Sequence, residues 1–361
     1  AAERQQALAV LGEMVLLPGA GLDALDDVSM EDWLAKRTVP HALYNYMAMH
    51  SNASLAEPID RVAASEQIKI LQQIATRGGG GYYRGGFGRV LDDIADAIRA
   101  NGGEIRTNAR VGQIVIRDGR VTGVETAEGT FRAPIVISTA GIQPTVLKLA
   151  GASQFPAPYV EYVKGLEPGW GFATVRYFLD RPAMPHKMYM VWSDDSWWNL
   201  ERAKRVSEGH EPDEVIMFIT VPCNFDPSMA PPGKQCLIAG TICSPDPKAA
   251  EIDMLYRKLD EQLARCFPAA WAAVERREVD GPAEVSAHTR DSVLPGQGGE
   301  CVGIGQIVGQ CGTRKPSPRT PIAGLFLAGC DAGSGTMGTH QATDSGMTVA
   351  RMVRAELAAA H

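Results

Sequence analysis

GLFLAGCDAGSGTMGTHQATDSGMTVARMVRAEL, residues 324–357, decides the fold. It reads as an apolar strand, a turn with Gly333, Gly335 and Gly338 in GxGxxG spacing, and a helix on which Ala342, Gly346, Val349, Ala350, Val353 and Leu357 share one face. Glycines in such a turn let the backbone and the helix N-terminus approach a phosphate closely. Only about twenty residues follow, so this stretch has no room for the returning strand and ribose-binding acid of a whole dinucleotide unit. The turn is therefore expected to serve a nucleotide held chiefly elsewhere. Its unpaired N–H groups and partial positive charge suit the negative edge of a reduced flavin ring, and Asp331 at the strand end is placed to accept from ribityl or ribose hydroxyls. A bare strand-to-helix turn without a ligand is the alternative.

Two other glycine patterns are weaker. Gly19, Gly21 and Ala24 follow Pro18, and the next helix is capped only at Ser29, with Asp32 three residues on. Gly303, Gly305 and Gly309 lead into QCGTRKPSPRTP, whose prolines forbid a helix, so this segment reads as a loop. Residues 1–80 otherwise alternate helices and loops. After GGGGYYRGGFG, Leu91, Ile94, Ala95 and Ile98 mark an amphipathic helix closed by Asn101, Gly102 and Gly103. From 104 the period shifts to that of strands: EIRT, VGQIVIR, a DG turn, RVTGVETA, an EG turn, TFRA and the buried run IVIST. FATVRYFL, KMYMVW, EVIMFITV and QCLIAGTI are β-rich runs, followed by a helix through AAEIDMLYRKLDEQLARCF.

The formal charge of −7, from 35 basic and 42 acidic residues without a basic cluster, excludes an electrostatic nucleic-acid site. Seven cysteines without CxxC spacing argue against a disulfide framework and against zinc, and read as mostly buried thiols. The histidines show no ligand spacing, so no metal is expected. No signal peptide or spanning stretch is evident, and a cytoplasmic location is the default expectation.

Two blocks carry a family resemblance: YYRGGFGRVLDDIADAIRANGGEIRTNARVGQIVIRDGRVTGVETAEGTFRAPIVISTAG, and RKPSPRTPIAGLFLAGCDAGSGTMGTHQATDSGMTVARMV. Together they resemble the phytoene desaturase-like branch of the FAD-dependent amine oxidase superfamily. The resemblance implies an α/β fold with an α+β insert: a partial FAD-binding, Rossmann-like domain interrupted by an antiparallel-sheet substrate domain. Expected portions are a helical cap at 1–80, FAD-domain parts at 81–150 and 290–361, and a substrate domain at 151–289. It also implies that Val111 lies near the adenine, that Thr139 and Ala140 border the ADP half, and that Gly329 and Asp331 lie beside the ribityl and phosphate region. Gly338, Thr339 and His340 would begin the helix pointing at the isoalloxazine, and Gly85 and Gly86 would approach the cofactor or substrate cavity.

The sequence departs from the family in two places. Relatives place a histidine and proline in the glycine-rich turn, where this chain has DAGSGTMG and a later His340. The family's strand, GxGxxG and helix that bind ADP do not occur in it, so the chain is expected to belong to a longer protein, to pair with a second subunit that supplies them, or to have lost flavin affinity. The activity implied is dehydrogenation or desaturation of an apolar small molecule, with hydride passing to flavin. Its rivals are a flavin-dependent isomerase or saturase and a non-catalytic subunit. Peripheral membrane contact is left open by the apolar substrate class.

Since a flavin performs hydride transfer itself, no acid/base dyad is required, and none is found. His340 is the candidate proton handler, against a simple capping role. Arg176 either reaches a cavity or extends to solvent. Tyr189, Trp192, Trp197 and Trp198 either line a tunnel or fill the core.

Overall fold

The computed structural model describes residues 2–77, 81–289, 303–333 and 338–359. Its first layer is helical: α1 (Ala2–Leu16), α2 (Gly19–Asp23), α3 (Met30–Ala35), α4 (His41–His50) and α5 (Ala64–Arg77). Ser29 caps α3 as its spacing predicts, accepting from the Asp32 amide at 3.1 Å. Met14, Met30, Leu34, Met47, Leu55 and Ile68 are fully enclosed in the core of this layer. A π-helical turn, Ser51–Leu55, extends α4 and ends at Ala56 in the left-handed region, φ 53°.

The expected amphipathic helix is α6 (Phe87–Ala100), and none of its side chains is buried. The meander follows as β1 (Val111–Arg117), β2 (Arg120–Thr126) and β3 (Gly129–Arg132), paired antiparallel in the order β1-β2-β3. Asp118 and Gly119 both have positive φ, which is the primed turn that a two-residue DG hairpin loop requires. The strand expected at EIRT does not form. No described strand lies alongside it, and an extended segment without a neighbour has no ladder to join.

Next come β4 (Val136–Ser138) and α7 (Ala157–Lys164). Val160 and Val163 of α7 pack with Ile142, Val146, Ile304, Leu325 and Leu327, so this core crosses the expected division at residue 150.

A five-stranded antiparallel sheet forms the next layer, in the order β6-β7-β8-β5-β9. Its members are β5 (Gly171–Leu179), β6 (Met188–Val191), β7 (Met217–Thr220), β8 (Gln235–Cys243) and β9 (Val274–Asp280), with α8 (Leu200–Ser207) and α9 (Pro222–Phe225) in the connections. Strand alternation gives it two faces. Ala173, Val175, Tyr177, Leu179, Met217, Ile219, Leu237 and Ala239 are buried in one core with Leu255, Leu259 and Leu263 of α10 (Ala249–Cys266). Phe172, Thr174, Arg176 and Phe178 share the other, half-buried face. α11 (Pro268–Trp271) precedes β9 and α12 (Pro282–Thr289) follows it. The chain then returns through β10 (Leu325–Leu327) to the core of Ile142, Val146, Val160 and Val163, and goes on into α13 (Gly338–Ala359).

Candidate functional site

β10 runs parallel to β4 in the register Leu325↔Val136, Phe326↔Ile137, Leu327↔Ser138. Their carboxyl ends therefore lie side by side, the place where open parallel sheets bind ligands. Thr139 and Ala140 emerge from one strand, and Gly329, Cys330 and Asp331 from the other, with the Ala328 amide donating to the Ser138 carbonyl at 3.0 Å. The structure thus places Thr139, Ala140, Gly329 and Asp331 at the same end of the strand pair.

Asp331 is buried. Its Oδ2 accepts from the Ile142 amide at 2.9 Å and its Oδ1 from the Ile304 amide at 3.0 Å. The carboxylate staples three distant segments, a role the sequence reading did not anticipate; hydroxyls of a ribityl or ribose chain would have to use its remaining lone pairs. Gly141 makes this approach feasible: its φ is 89°, and a Cβ there would sit 2.8 Å from Asp331 Oδ2. Beside it, Thr145 Oγ1 donates to the Gly141 carbonyl at 2.6 Å and lies 2.6 Å from the Ser138 hydroxyl.

The turn into α13 is held by Ser345, another residue the sequence reading missed. It reaches back from the helix, accepts from the Gly329 amide at 3.1 Å and donates to the Ala332 carbonyl at 2.9 Å. The signal available was a serine one to two turns inside a glycine-led helix, too common to single out. Gly338 starts α13 with φ 62°. Cβ atoms built on Gly329 or Gly338 would meet nothing within 4 Å. Thr339 and His340 are exposed in the first turn, while Gly335 falls outside the described residues. Among the described residues, no second strand–GxGxxG–helix unit stands beside β10 and α13 to hold an ADP half.

Val111 opens β1, paired with Thr126 at the edge of the meander. Gly85 and Gly86 lie elsewhere, against the connections of the five-stranded sheet. The Gly85 amide donates to Asp226 Oδ2 at 2.6 Å, Tyr82 stacks on Phe225 at 5.0 Å, and a Cβ on Gly86 would meet Met229 Sδ at 3.1 Å. Hydrogen bonds from Gly85 and Ser228 hold the Asp226 carboxyl below its usual range.

The half-buried face of the five-stranded sheet carries a cavity of about 340 Å³. Phe172, Phe218, Ile238, Pro282 and Val285 supply apolar walls, Ala53 of the π-helical turn closes one side, and Thr174, Thr220 and Asp280 are its polar groups. Arg176 lies on this face, ion-paired with Asp280 and 3.9 Å from Glu278, so it neither reaches freely into the cavity nor extends alone to solvent. A second recess adjoins Phe178, Met229 and Cys236 farther along β5. Burial pushes the Cys236 thiol up. The aromatic run does not line this cavity: Trp197 and Trp198 are buried in the cores, Tyr189 packs against Phe267, and Trp192 is exposed. Phe172 and Phe218 serve instead.

Asp26, Glu66 and Cys311 form a buried cluster with ligand atoms within 4.8 Å of one another. Asp26 accepts from the Thr313 amide and hydroxyl, Glu66 pairs with Lys69 at 3.3 Å, and burial pushes the Cys311 thiol up to about 12. With buried Lys315 also adjacent to Glu66 and Cys311, ammonium groups balance the carboxylates, and the cluster sews the 303–315 loop to the helical layer. Of six described cysteines, only Cys243 and Cys311 are buried and Cys266 is exposed, so the expectation of mostly buried thiols holds for a minority.

A parallel strand pair with a glycine turn at its carboxyl ends is thus joined to an antiparallel sheet bearing an apolar cavity. The chain belongs to the family of flavin containing amine oxidoreductases, whose pattern matches residues 24–354.

Among its relatives, pyridine nucleotide-disulfide oxidoreductase domain-containing protein 2 of Mus musculus is 25% identical over 73% of this chain and 50% of its own length. Prolycopene isomerase of Arabidopsis thaliana is 28% identical over 57% of this chain and 35% of its own. The chain thus spans half or less of these relatives. The crystal structure of an oxidoreductase from Methanosarcina mazei shares the fold, with a TM-score of 0.71 at 20% identity over 97% of this chain and 72% of that one.

Proposed function

We propose that this chain forms the ring-facing and substrate-facing parts of an FAD-dependent dehydrogenase or desaturase acting on an apolar small molecule. The observation that carries the reading is the apolar cavity on the substrate sheet, whose polar groups are two hydroxyls and one ion-paired carboxylate. Such a lining suits a substrate that brings an oxidisable C–H bond and little charge. A bound flavin supplies the hydride acceptor. This chain's residues exclude water, orient the substrate and hold the turn of α13 open to the ring. His340 is the proton handler we assign to the first turn of that helix.

The prolycopene isomerase relatives favour a second reading, in which the hydride returns to the substrate and no net reduction accumulates. Among the described residues no helix is long and apolar enough to cross a membrane. We place the protein in the cytoplasm, touching a membrane at most peripherally to collect its substrate.

The test begins with visible absorbance after FAD is added and unbound flavin removed, followed by anaerobic mixing with a panel of apolar donors. Bleaching supports the dehydrogenase, and product formation without net bleaching supports the isomerase. A protein that never retains flavin sinks both and leaves the non-catalytic subunit. Gly240→Val adds bulk to the cavity wall, since even a Cβ there would sit 3.3 Å from Thr174 Oγ1. The rate with bulky donors is expected to fall about tenfold or more, while flavin retention is unchanged. An unaltered rate across the panel would show that substrate does not occupy this cavity.

A further inference from the structure

The two recesses on the five-stranded sheet adjoin. Phe172, Thr174, Arg176 and Phe178 alternate along one face of β5; the first two line the cavity beside α12, and Phe178 lines the recess of about 590 Å³ farther on. The strand register carries both across the sheet. Thr174 stands between Gly240 and Asp280, Arg176 between Ile238 and Glu278, and Phe178 between Cys236 and Arg276. On β8, Ile238 belongs to the cavity and Cys236, the next residue on that face, to the recess, so about 7 Å separates the two linings there. On β5 it is Arg176 that comes between, and it bears on both sides. It is ion-paired with Asp280 of the cavity, and it lies near enough to the Cys236 thiol of the recess to oppose the rise that burial imposes there.

The ionic groups along this face are matched. Arg176 pairs with Asp280, Arg276 lies 2.8 Å from Glu278, and Lys234 lies 2.6 Å from Glu275. One donor is left over. Nε of Arg176 is enclosed and has no hydrogen-bond acceptor among the described residues. A buried guanidinium N–H without an acceptor is costly, and the register neighbour of Arg176 on β8 is Ile238, whose side chain offers none.

We infer that cavity and recess are two halves of one channel, and that the Nε–H of Arg176 reads an uncharged oxygen, of the carbonyl class, carried part-way along an elongated apolar substrate. The charge balance selects that oxygen. A carboxylate would arrive beside Asp280 and Glu278, whose guanidinium partners are already engaged, and like charges in a half-buried site repel. An ammonium group would bring a second donor where an acceptor is wanted. A plain hydrocarbon would strip water from Nε and leave it unsatisfied. The register also sets the length. Thr174 and Phe178 are four residues apart on an extended strand, about 13 Å, the reach of an extended dodecyl chain.

The inference rests on the proposed function in taking this face as the substrate side, and it asks nothing of the flavin, so binding is measured without turnover. Labelled dodecane, its mid-chain ketone, dodecanoate and dodecylammonium are each dialysed to equilibrium against the flavin-free protein. The ketone should bind about tenfold more tightly than the alkane, and more tightly than either ion. Arg176→Met should erase the advantage over the alkane. Arg176→Lys keeps a charge beside Asp280 but has no donor at the Nε position, so it should lose most of that advantage in a protein whose Tm is unchanged. Cys236→Trp fills the recess and should weaken the dodecane ketone at least about tenfold, while the shorter mid-chain ketone of hexane, housed by the cavity, binds as before. Equal affinity for ketone and alkane overturns the inference, as does a ketone preference that survives both Arg176 variants or tighter binding of either ion. Full affinity for the dodecane ketone in Cys236→Trp overturns the single channel. If apolar donors bleach a retained flavin while the ketone shows no preference, the proposed function stands and this inference falls. If the ketone binds through Arg176 and no flavin is ever retained, the inference stands and the flavin reading falls.

Discussion

Asp331→Ala is expected to lower the stability of the flavin-free protein by roughly 2–5 kcal/mol, because two enclosed amides lose their acceptor at once and each such loss costs about 1–3 kcal/mol. Ile142 and Ile304 are both fully buried, so water does not replace the carboxylate without opening the core. Asp331→Asn keeps one acceptor oxygen and turns an N–H toward the other amide, so its loss should be smaller but still measurable. Urea unfolding with an unchanged m-value reads both effects. A change below about 1 kcal/mol for the alanine variant would mean that the staple is dispensable and that Asp331 answers chiefly to a ligand.

The second large effect concerns pH. His50 closes α4, its ring is almost wholly enclosed, and burial lowers its pKa to about 4 from the ordinary 6.5. The folded protein holds it neutral, while the unfolded chain takes up a proton as pH falls below 6.5. Stability from this group is therefore complete above pH 6.5 and declines as the pH drops toward 4. At about 1.4 kcal/mol per pKa unit the loss amounts to roughly 3 kcal/mol. His50→Gln does not titrate, so between pH 7.5 and 4.5 the wild-type protein should lose about 2–3 kcal/mol more than the variant. Carboxylates common to both proteins cancel in that comparison. Parallel pH profiles for the two would refute the assignment. Since the π-helical turn after His50 places Ala53 in the cavity wall, the same protonation should loosen the substrate side.

Much of the framework was legible because its signals are local. The DG turn fixes φ at Asp118 and Gly119, Ser29 caps its helix, and alternation along FATVRYFL separates the two sheet faces. β9 was illegible for a physical reason. As an edge strand beside β5 it carries Glu275, Arg276, Arg277 and Glu278, charges that keep an edge from recruiting another chain and that hide its strand pattern. The cavity was missed because Phe172 and Phe218 face one another only after β5, β8 and β7 are assembled, whereas the conspicuous tryptophans belong to the cores. Ser345 and the double staple of Asp331 are long-range contacts with no neighbouring pattern. The EIRT segment shows the converse, a strand signature whose fulfilment depends on a neighbour.

The pairing of β4 with β10 also sets a timetable. Ile142 and Asp331 are 189 positions apart, and the whole five-stranded sheet is made between them. A ribosome extending the chain at about 5–20 residues per second leaves β4 waiting roughly ten to forty seconds for its partner. During that interval the sheet of β5 to β9 has all of its strands available and can close, while Ile142 and Val146 still lack the walls supplied by Leu325 and Leu327. The crevice is finished only after that sheet. Nascent chains stalled or cleaved before residue 325 should present an ordered sheet beside a sticky, half-built core, the kind of species that chaperones retain.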